Sequence, residues 1–449
     1  MIRKALAAMP MMMLLSSLTP AETEFEDFVL QDTHKVVLQG NYFEQDTQSE
    51  DESFSYSFKY DGSYLFSVPT LDWPDWDVFF RPWLVASSSE QLSDSFSSGQ
   101  QYEGVYLEAR EFYVRKNRFL EMPSLNLTLG RQQYADYYGT WWDDSIESVK
   151  LDFDKTLYGG FLALGQQFYN YNTDTNELNN NQKDVSYLFG EAWYRFSGQS
   201  ISGIRWFGQY DHSVENDVEV SDFQGIKLGY FIDARESINS QHELSFYADF
   251  ALINGEYENI NSGSAFINAK ENVKGWALVT ELYDQFYLNQ QRFKIGFRLG
   301  MTDAPDNAFS GHALAPVQTD RVSKTGQYST GISGTMLDNN LSNIRFFGAM
   351  AEYQIDDRSH IEFLVFDMER RNRDVPLAAS IADSYVDGSG KSIGQSYEAF
   401  YFIELFPKRM MEREVGIDLL LSAGFFNGGD AIDGSPDDYR VSVALNAAF

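Results

Sequence analysis

The sequence predicts an all-β protein: a single transmembrane antiparallel β-barrel of about 18 strands, within a range of 16–18, carrying long extracellular loops. Three observations lead there. Apolar and polar residues alternate over segments of roughly ten residues, the length a tilted strand needs to cross a bilayer. Aromatic residues make up 16% of the 449-residue chain, a surplus that suits girdles at the two membrane interfaces. The segment from Tyr439 to Phe449 alternates throughout and ends on an aromatic residue.

The chain starts with a secretory leader. Arg3 and Lys4 form the positive region, Ala5 to Leu15 the apolar stretch, and Thr19-Pro20-Ala21 a small-residue end, so residues 1–21 are expected as signal peptide and 22–449 as barrel. About eleven apolar residues are too few to span a membrane. Strands follow. Phe54, Tyr56, Phe58 and Tyr60 alternate with Ser53, Ser55, Ser57 and Lys59, and Leu244 to Leu252 alternate with Glu243, Ser245, Tyr247 and Asp249. Phe293, Ile295, Phe297, Leu299 and Met301 share one face, while Lys294, Gly296, Arg298, Gly300 and Thr302 share the other. Ile417 to Phe425 repeat the pattern. A soluble sandwich alternates too, but its strands usually run about 5–6 residues. At roughly 24 residues per strand with its connection, the mature chain holds about 16 to 18 of them.

Charge and composition exclude several functions. With 66 acidic against 34 basic side chains and a net charge of -32, the chain repels nucleic acid. Its 43% hydrophobic content is too high for disorder. Without cysteine there is no disulfide, no thiolate nucleophile and no thiolate metal site. A mean hydropathy of -0.37 and the lack of a later apolar run of about 18 residues exclude a helical membrane protein.

Polar stretches at Asp46 to Glu52, Asn170 to Asp184, Ser213 to Asp222, Thr302 to Asp338 and Gly428 to Asp438 are expected as extracellular loops. Asp174, Glu177 and Asp184, or Asp430, Asp433, Asp437 and Asp438, offer oxygen ligands for a structural Ca²⁺ in those loops, although none follows the EF-hand spacing and solvated acids give the same pattern. No other cofactor is implied. An enzyme hosted by the barrel needs a nucleophile beside a base. The five histidines, His34, His212, His242, His312 and His360, are far apart and lack a Gly-x-Ser-x-Gly neighbour. Paired inward carboxylates such as Glu243 and Asp249 keep glycoside hydrolysis open. The sequence therefore favours a channel, with a small-solute uptake porin as alternative and a barrel-hosted hydrolase or structural barrel as the reading of another class.

Between Tyr106 and Phe196 the text becomes specific: Tyr-Leu-Glu-Ala-Arg-Glu-Phe-Tyr-Val (106–114), Leu-Thr-Leu-Gly-Arg-Gln (127–132), Trp-Trp-Asp (141–143), Phe-Asp-Lys-Thr-Leu (153–157) and Lys-Asp-Val-Ser-Tyr-Leu-Phe-Gly (183–190). Phe80-Arg81-Pro82-Trp83, Leu341-Ser342-Asn343, Ser392-Ile393-Gly394-Gln395 and Gly429-Asp430-Ala431 extend it. This resembles the alginate export family of outer-membrane porins. The resemblance implies a monomeric barrel of eighteen strands in the Gram-negative outer membrane, among lipid and lipopolysaccharide, inserted by the barrel assembly machinery, with an electropositive pore for an anionic polysaccharide and periplasmic export partners. Carried over by position, Arg81 and Arg110 match pore arginines, and Asp143 and Asp174 match pore acids. Other positions depart: Gln133 stands where the family has an arginine, two further arginines align near Ser329 and Asp338, and two more align with Leu420 and Ser422. Arg298, with Lys294, Arg321, Lys324 and Arg345, is the candidate to rebuild positive charge or else to sit in lumen ion pairs. With most pore arginines missing, a neutral or weakly charged saccharide is as well suited a cargo as alginate.

Overall fold

The computed structural model describes residues 29–449 apart from 47–49, 70–73, 89–103, 175–176, 179–181, 183, 213–221, 259–270, 308–309, 313, 315–320, 325–327, 338–340, 378–380, 382–384 and 407–415. The leader expected at 1–21 and nearly all of the loop expected at Ser213 to Asp222 lie outside the described residues.

Eighteen strands form one closed antiparallel sheet, and two short ones, β14 (Arg321–Lys324) and β15 (Tyr328–Gly331), pair separately within the connection after β13. In chain order the wall consists of β1 (Val29–Asp46), β2 (Glu50–Pro69), β3 (Pro74–Ser87), β4 (Gly104–Lys116), β5 (Leu125–Ala135), β6 (Asp143–Asp154), β7 (Tyr158–Gln166), β8 (Val185–Arg195) and β9 (Ile201–Asp211). It continues with β10 (Asp222–Asn239), β11 (His242–Glu258), β12 (Glu271–Leu288), β13 (Gln291–Thr302), β16 (Ile344–Asp356), β17 (Ser359–Arg370), β18 (Ser392–Phe406), β19 (Gly416–Gly428) and β20 (Asp437–Ala448). Closure comes from β1 against β20, where Val36 faces Ala447 and Tyr42 faces Val441. Each wall strand pairs with its neighbours in this chain order, so backbone polar groups along the paired registers find partners without water. Among the described residues no helix is long and apolar enough to cross a membrane.

The alternation read from the sequence becomes the two faces of the wall. On β13, Ile295, Phe297 and Leu299 are about half exposed on the outside, whereas Gly296, Arg298, Gly300 and Thr302 are buried inside. On β20, Tyr439, Val441 and Val443 face outward and Asp438, Ser442 and Asn446 inward. Wall strands run from 9 residues in β7 to 20 in β2, longer at the upper limit than a bilayer crossing needs. Asp46 and Glu50 to Glu52, expected in a loop, belong instead to the paired ends of β1 and β2: Glu44 faces Glu52 and Asp46 faces Glu50. A two-stranded ladder extended beyond the membrane keeps its backbone hydrogen bonds.

From β5 to β18 the connections alternate between shorter and longer. Residues 240–241, 289–290 and 357–358 make two-residue turns, while 303–343 and 371–391 make long excursions. By the usual asymmetry of outer-membrane barrels, short turns lie on the periplasmic side with the chain's C-terminus, and long loops on the cell exterior. At the periplasmic end Phe449 exchanges both backbone hydrogen bonds with His34, at 2.9 and 3.0 Å, and stacks on its ring at 5.4 Å between centroids. This contact fastens the last strand to the first. Phe449→Ala is expected to lower the yield of heat-modifiable barrel in the outer membrane while leaving expression unchanged, measured by gel mobility of boiled and unboiled membranes. Normal yield would show that the seam does not need the ring.

Candidate functional site

The interior of the barrel is largely filled from two directions. The first filling element is the β5–β6 hairpin. β4 pairs with β5 only from Phe112 to Lys116, against Leu127 to Arg131. Above that point the strands part. The parting is at Gly130, whose φ of +129° favours glycine; a side chain there would press on the Tyr113 backbone at 2.8 Å. The hairpin tip, 136–142, then reaches across to β10, β11 and β12. Trp141 Nε1 donates to the Asp249 carboxylate at 3.0 Å, Lys227 Nζ donates to the Thr140 carbonyl at 2.7 Å, and Tyr137 Oη donates to Glu281. Asp136 closes the turn by accepting from the Trp141 and Trp142 amides at 2.9 and 3.1 Å.

The gap left in the wall is covered by the β7–β8 connection. Ala109 N donates to Tyr171 O, Thr173 N donates to Leu107 O, and Asn172 bridges Glu108 as a strand residue would. Arg131 ties this strap down, donating to Tyr169 O at 3.3 Å and pairing with Glu147 at 3.0 Å.

The second filling element is the β13–β16 connection. Ile332, Ser333, Met336 and Leu337 are buried inside the barrel, as is the later Leu341. Ile332, Met336, Leu337 and Leu341 join Tyr138 from the hairpin and inward residues Phe346, Phe366, Phe400 and Leu420 in one apolar cluster. The connection 371–391 adds Leu377, Ile381 and Tyr385. An apolar lumen on this side departs from the polar interior expected of a porin. The sequence signal for it is the run Phe363-Leu364-Val365-Phe366: Phe363 and Val365 face outward, Leu364 and Phe366 inward, so both faces of β17 are apolar.

The residues proposed from sequence separate into distinct settings. Arg81 keeps 24% side-chain exposure on the inner face of β3. It donates to both oxygens of Asp61 at 2.8 and 2.7 Å, to Glu111 at 2.9 Å and to the Gln133 side-chain oxygen at 2.6 Å. Arg110 is 2% exposed, lies 3.3 Å from Glu108 and 3.4 Å from Asp144, and stacks on Trp83 with its guanidinium carbon 4.7 Å from the ring centre. Asp143 is buried close enough to act electrostatically on Arg110. A bulge explains why the consecutive Arg110 and Glu111 both point inward: Arg81 faces Glu111 while Pro82 faces Ala109, leaving Arg110 as the extra residue opposite a proline that has no amide to offer. Asp174 is exposed in the strap, apart from this group. Asp174, Glu177 and Asp184 form no joint cage; among the described residues no group of three or more His, Asp or Glu that could hold a metal ion is assembled.

Arg298 is fully buried. It pairs with Glu281 at 2.6 and 2.7 Å and donates to the Ile332 carbonyl at 2.8 Å, so it anchors a loop. Lys294 lies over the Tyr283 ring at 3.7 Å. Arg345 stands on the outer face beside Phe347, in an ion pair with Glu369, and contributes nothing to the lumen. Of Arg321 and Lys324 only the backbone is described. Charged groups not singled out by sequence include Arg205, held by Asp249 at 2.5 Å and Glu191 at 3.1 Å, and Glu398 and Arg440, which grip Thr335. Their cue was present as isolated charges on strand faces, but nothing local marked their partners. His312 is enclosed with Nδ1 2.9 Å from the Leu341 carbonyl, and burial, helped by Lys227, takes its pKa down to about 3.

These features define a closed eighteen-stranded antiparallel β-barrel of the kind that spans an outer membrane. No family model matches the chain. It is similar to the alginate production protein AlgE of Pseudomonas syringae pv. tomato, 23% identical over 401 residues that cover 81% of this chain and 79% of the relative. The AlgE of Pseudomonas aeruginosa is 22% identical over 391 residues, covering 80% of each. Among solved structures, P. aeruginosa OpdQ matches with a TM-score of 0.56 at 8% identity over 94% of this chain and 97% of that one, and Acinetobacter baumannii OccAB4 with 0.54 at 10% identity over 93% and 98%. The structural likeness fixes the fold.

Two outcomes test this geometry. Gly130→Val should strain the backbone by about 1–3 kcal/mol and weaken the in-folded hairpin; unchanged thermal stability of the purified barrel would contradict the hinge. Asp136 lies in a loop outside the wall strands, and burial, opposed by Arg205 and aided by Asp249, raises its pKa to about 6. A folded-state pKa above the unfolded value means the native state binds the proton more tightly, so Asp136 makes stability rise as pH falls from about 6 toward about 4. Melting temperatures across that window should show the rise, and Asp136→Asn should flatten it.

Proposed function

We propose that this protein is a narrow outer-membrane channel for a small polar solute, with a neutral or weakly charged saccharide as the class its lining suits best. The observation that carries this is the state of Arg81. It is a partly exposed arginine on the inner face of β3, and it already faces two carboxylates, Asp61 and Glu111, besides Gln133. One guanidinium against two acids leaves no surplus positive charge to draw in a polyanion, and low-dielectric walls focus whatever net charge remains. The passage follows the inner face of β1 to β3, where Gln39, Ser57, Lys59, Asp61 and Arg81 stay partly exposed. Hydroxyls and amides of this kind exchange hydrogen bonds with sugar hydroxyls as readily as with water. The filled opposite side argues for a small cargo. Similarity to AlgE supports a saccharide, and export of a polyanion is the competing assignment.

Reversal potentials in a salt gradient across planar bilayers distinguish the two. Weak selectivity is expected from the parent, and Arg81→Ala, which leaves Asp61 and Glu111 without their cation, should raise the cation-to-anion permeability ratio by roughly threefold or more. Strong anion selectivity in the parent would restore polyanion export as the first assignment.

A further inference from the structure

We propose that Thr335 and Met336 form the tip of a displaceable stopper, seated in a socket made by Glu398, Gly424 and Arg440, and that its release widens the channel. This inference concerns regulation of the pore and rests on the channel assignment above.

The socket is a single row across three strands. Glu398 on β18 lies opposite Gly424 on β19, and Gly424 lies opposite Arg440 on β20. All three positions face inward. Gly424 adopts an ordinary backbone conformation, so its value is the space it leaves: a Cβ there would sit 2.5 Å from the Met336 sulfur and 3.2 Å from its Cγ. Met336 therefore occupies the place where the wall lacks a side chain.

The charges on either side of the glycine hold Thr335. Glu398 accepts from the Thr335 amide with both oxygens, at 2.8 and 2.9 Å, and from its hydroxyl at 2.7 Å. Arg440 Nη1 donates to the Thr335 carbonyl at 3.0 Å. A buried carboxylate and a guanidinium two strands apart are thus joined through a neutral residue. With neighbouring strands about 4.8 Å apart, both side chains are long enough to meet over Gly424 once the tip withdraws. The direct ion pair would offset the hydrogen bonds given up, so the socket has two self-consistent states, as a two-state element requires.

The segment has the anatomy of a movable part. Gly334, at φ +103°, sets the turn just before Thr335, and among the described residues the tip's polar contacts to the wall include Arg298 at Ile332, Glu398 at Thr335 and the Met336 amide, and Arg440 at Thr335. Apolar packing by Met336 and Leu337 provides the rest of the hold.

The test uses the full barrel, whose sequence contains no cysteine. Gly424→Val should evict the tip sterically, and Thr335→Val should loosen it by removing the hydroxyl without touching the wall. In each background Leu337→Cys reports position: its reaction with a water-soluble maleimide should be on the order of tenfold faster than in the parent, the change Thr335→Val brings by removing one charged hydrogen bond. Single-channel conductance should rise about twofold or more in the same proteins. A disulfide between cysteines at 336 and 424 should hold conductance at the parent level or below, with reductant reversing it. Faster labelling with unchanged conductance would refute the stopper while leaving the channel assignment intact. Unchanged labelling in both variants, each confirmed as folded by heat-modifiability, would refute the socket. No conductance in any protein, including the evicted ones, would overturn the channel assignment itself.

Discussion

Backbone folded into a barrel loses its contact with bulk water, and the arrangement of this lumen follows from that constraint. An unpaired buried amide or carbonyl is costly, so each in-folded segment needs donors and acceptors from the wall. Here wall charges supply them. Arg298 serves the Ile332 carbonyl, Arg440 that of Thr335, and Lys227 that of Thr140. Arg370 serves the carbonyls of Gly388 and Gly390 at 2.7 and 2.6 Å. Glu398 supplies the complementary acceptor. A cation engaged with a loop carbonyl and a carboxylate has little left for a passing anion. These wall charges are therefore engaged by the polypeptide that the interior holds.

The same logic links two departures from the family the sequence resembles. Positions 420 and 422, where the resemblance places arginines, hold leucine and serine, and Leu420 is buried in the apolar cluster that contains Met336 and Leu337. A guanidinium at 420 would point into that apolar cluster. Leu420 thus belongs to the apolar filling of this side of the barrel. Gln133 fits too: its oxygen accepts from Arg81 at 2.6 Å, a role a second guanidinium, having only donors, cannot perform.

Much of the wall was legible because a barrel strand writes its geometry locally. Period-two alternation gave the faces of β11, β13 and β20 residue by residue, and chain length with strand length bracketed the count of eighteen. The bulge at Arg110 was not legible, since it depends on Pro82 in the adjacent strand, nor was the extension of β1 and β2 through acidic residues that resemble a loop. The site was harder still. Arg81 and Gln133 come together over fifty-two positions of sequence and Trp141 and Asp249 over a hundred and eight. Such pairings are set by which strands end up across the lumen, a property of closure rather than of any segment.

Closure also explains why the hairpin and the strap must be considered together. If β5 and β6 continued in the wall, Gln133 N would pair with β4 backbone; instead it donates to the Glu111 carboxylate at 3.0 Å, a side chain standing in for a strand. The edge of β4 exposed by this departure needs a partner, because open edges are not tolerated at membrane depth. Residues 171–173 provide one, and Arg131 binds both sides of the junction, donating to the Arg110 carbonyl of β4 and to the Tyr169 carbonyl of the strap. Folding the hairpin inward and sealing the wall are consequently a single structural event. It follows that the long β7–β8 connection is part of the barrel wall, and that its length answers the inward turn made at Gly130.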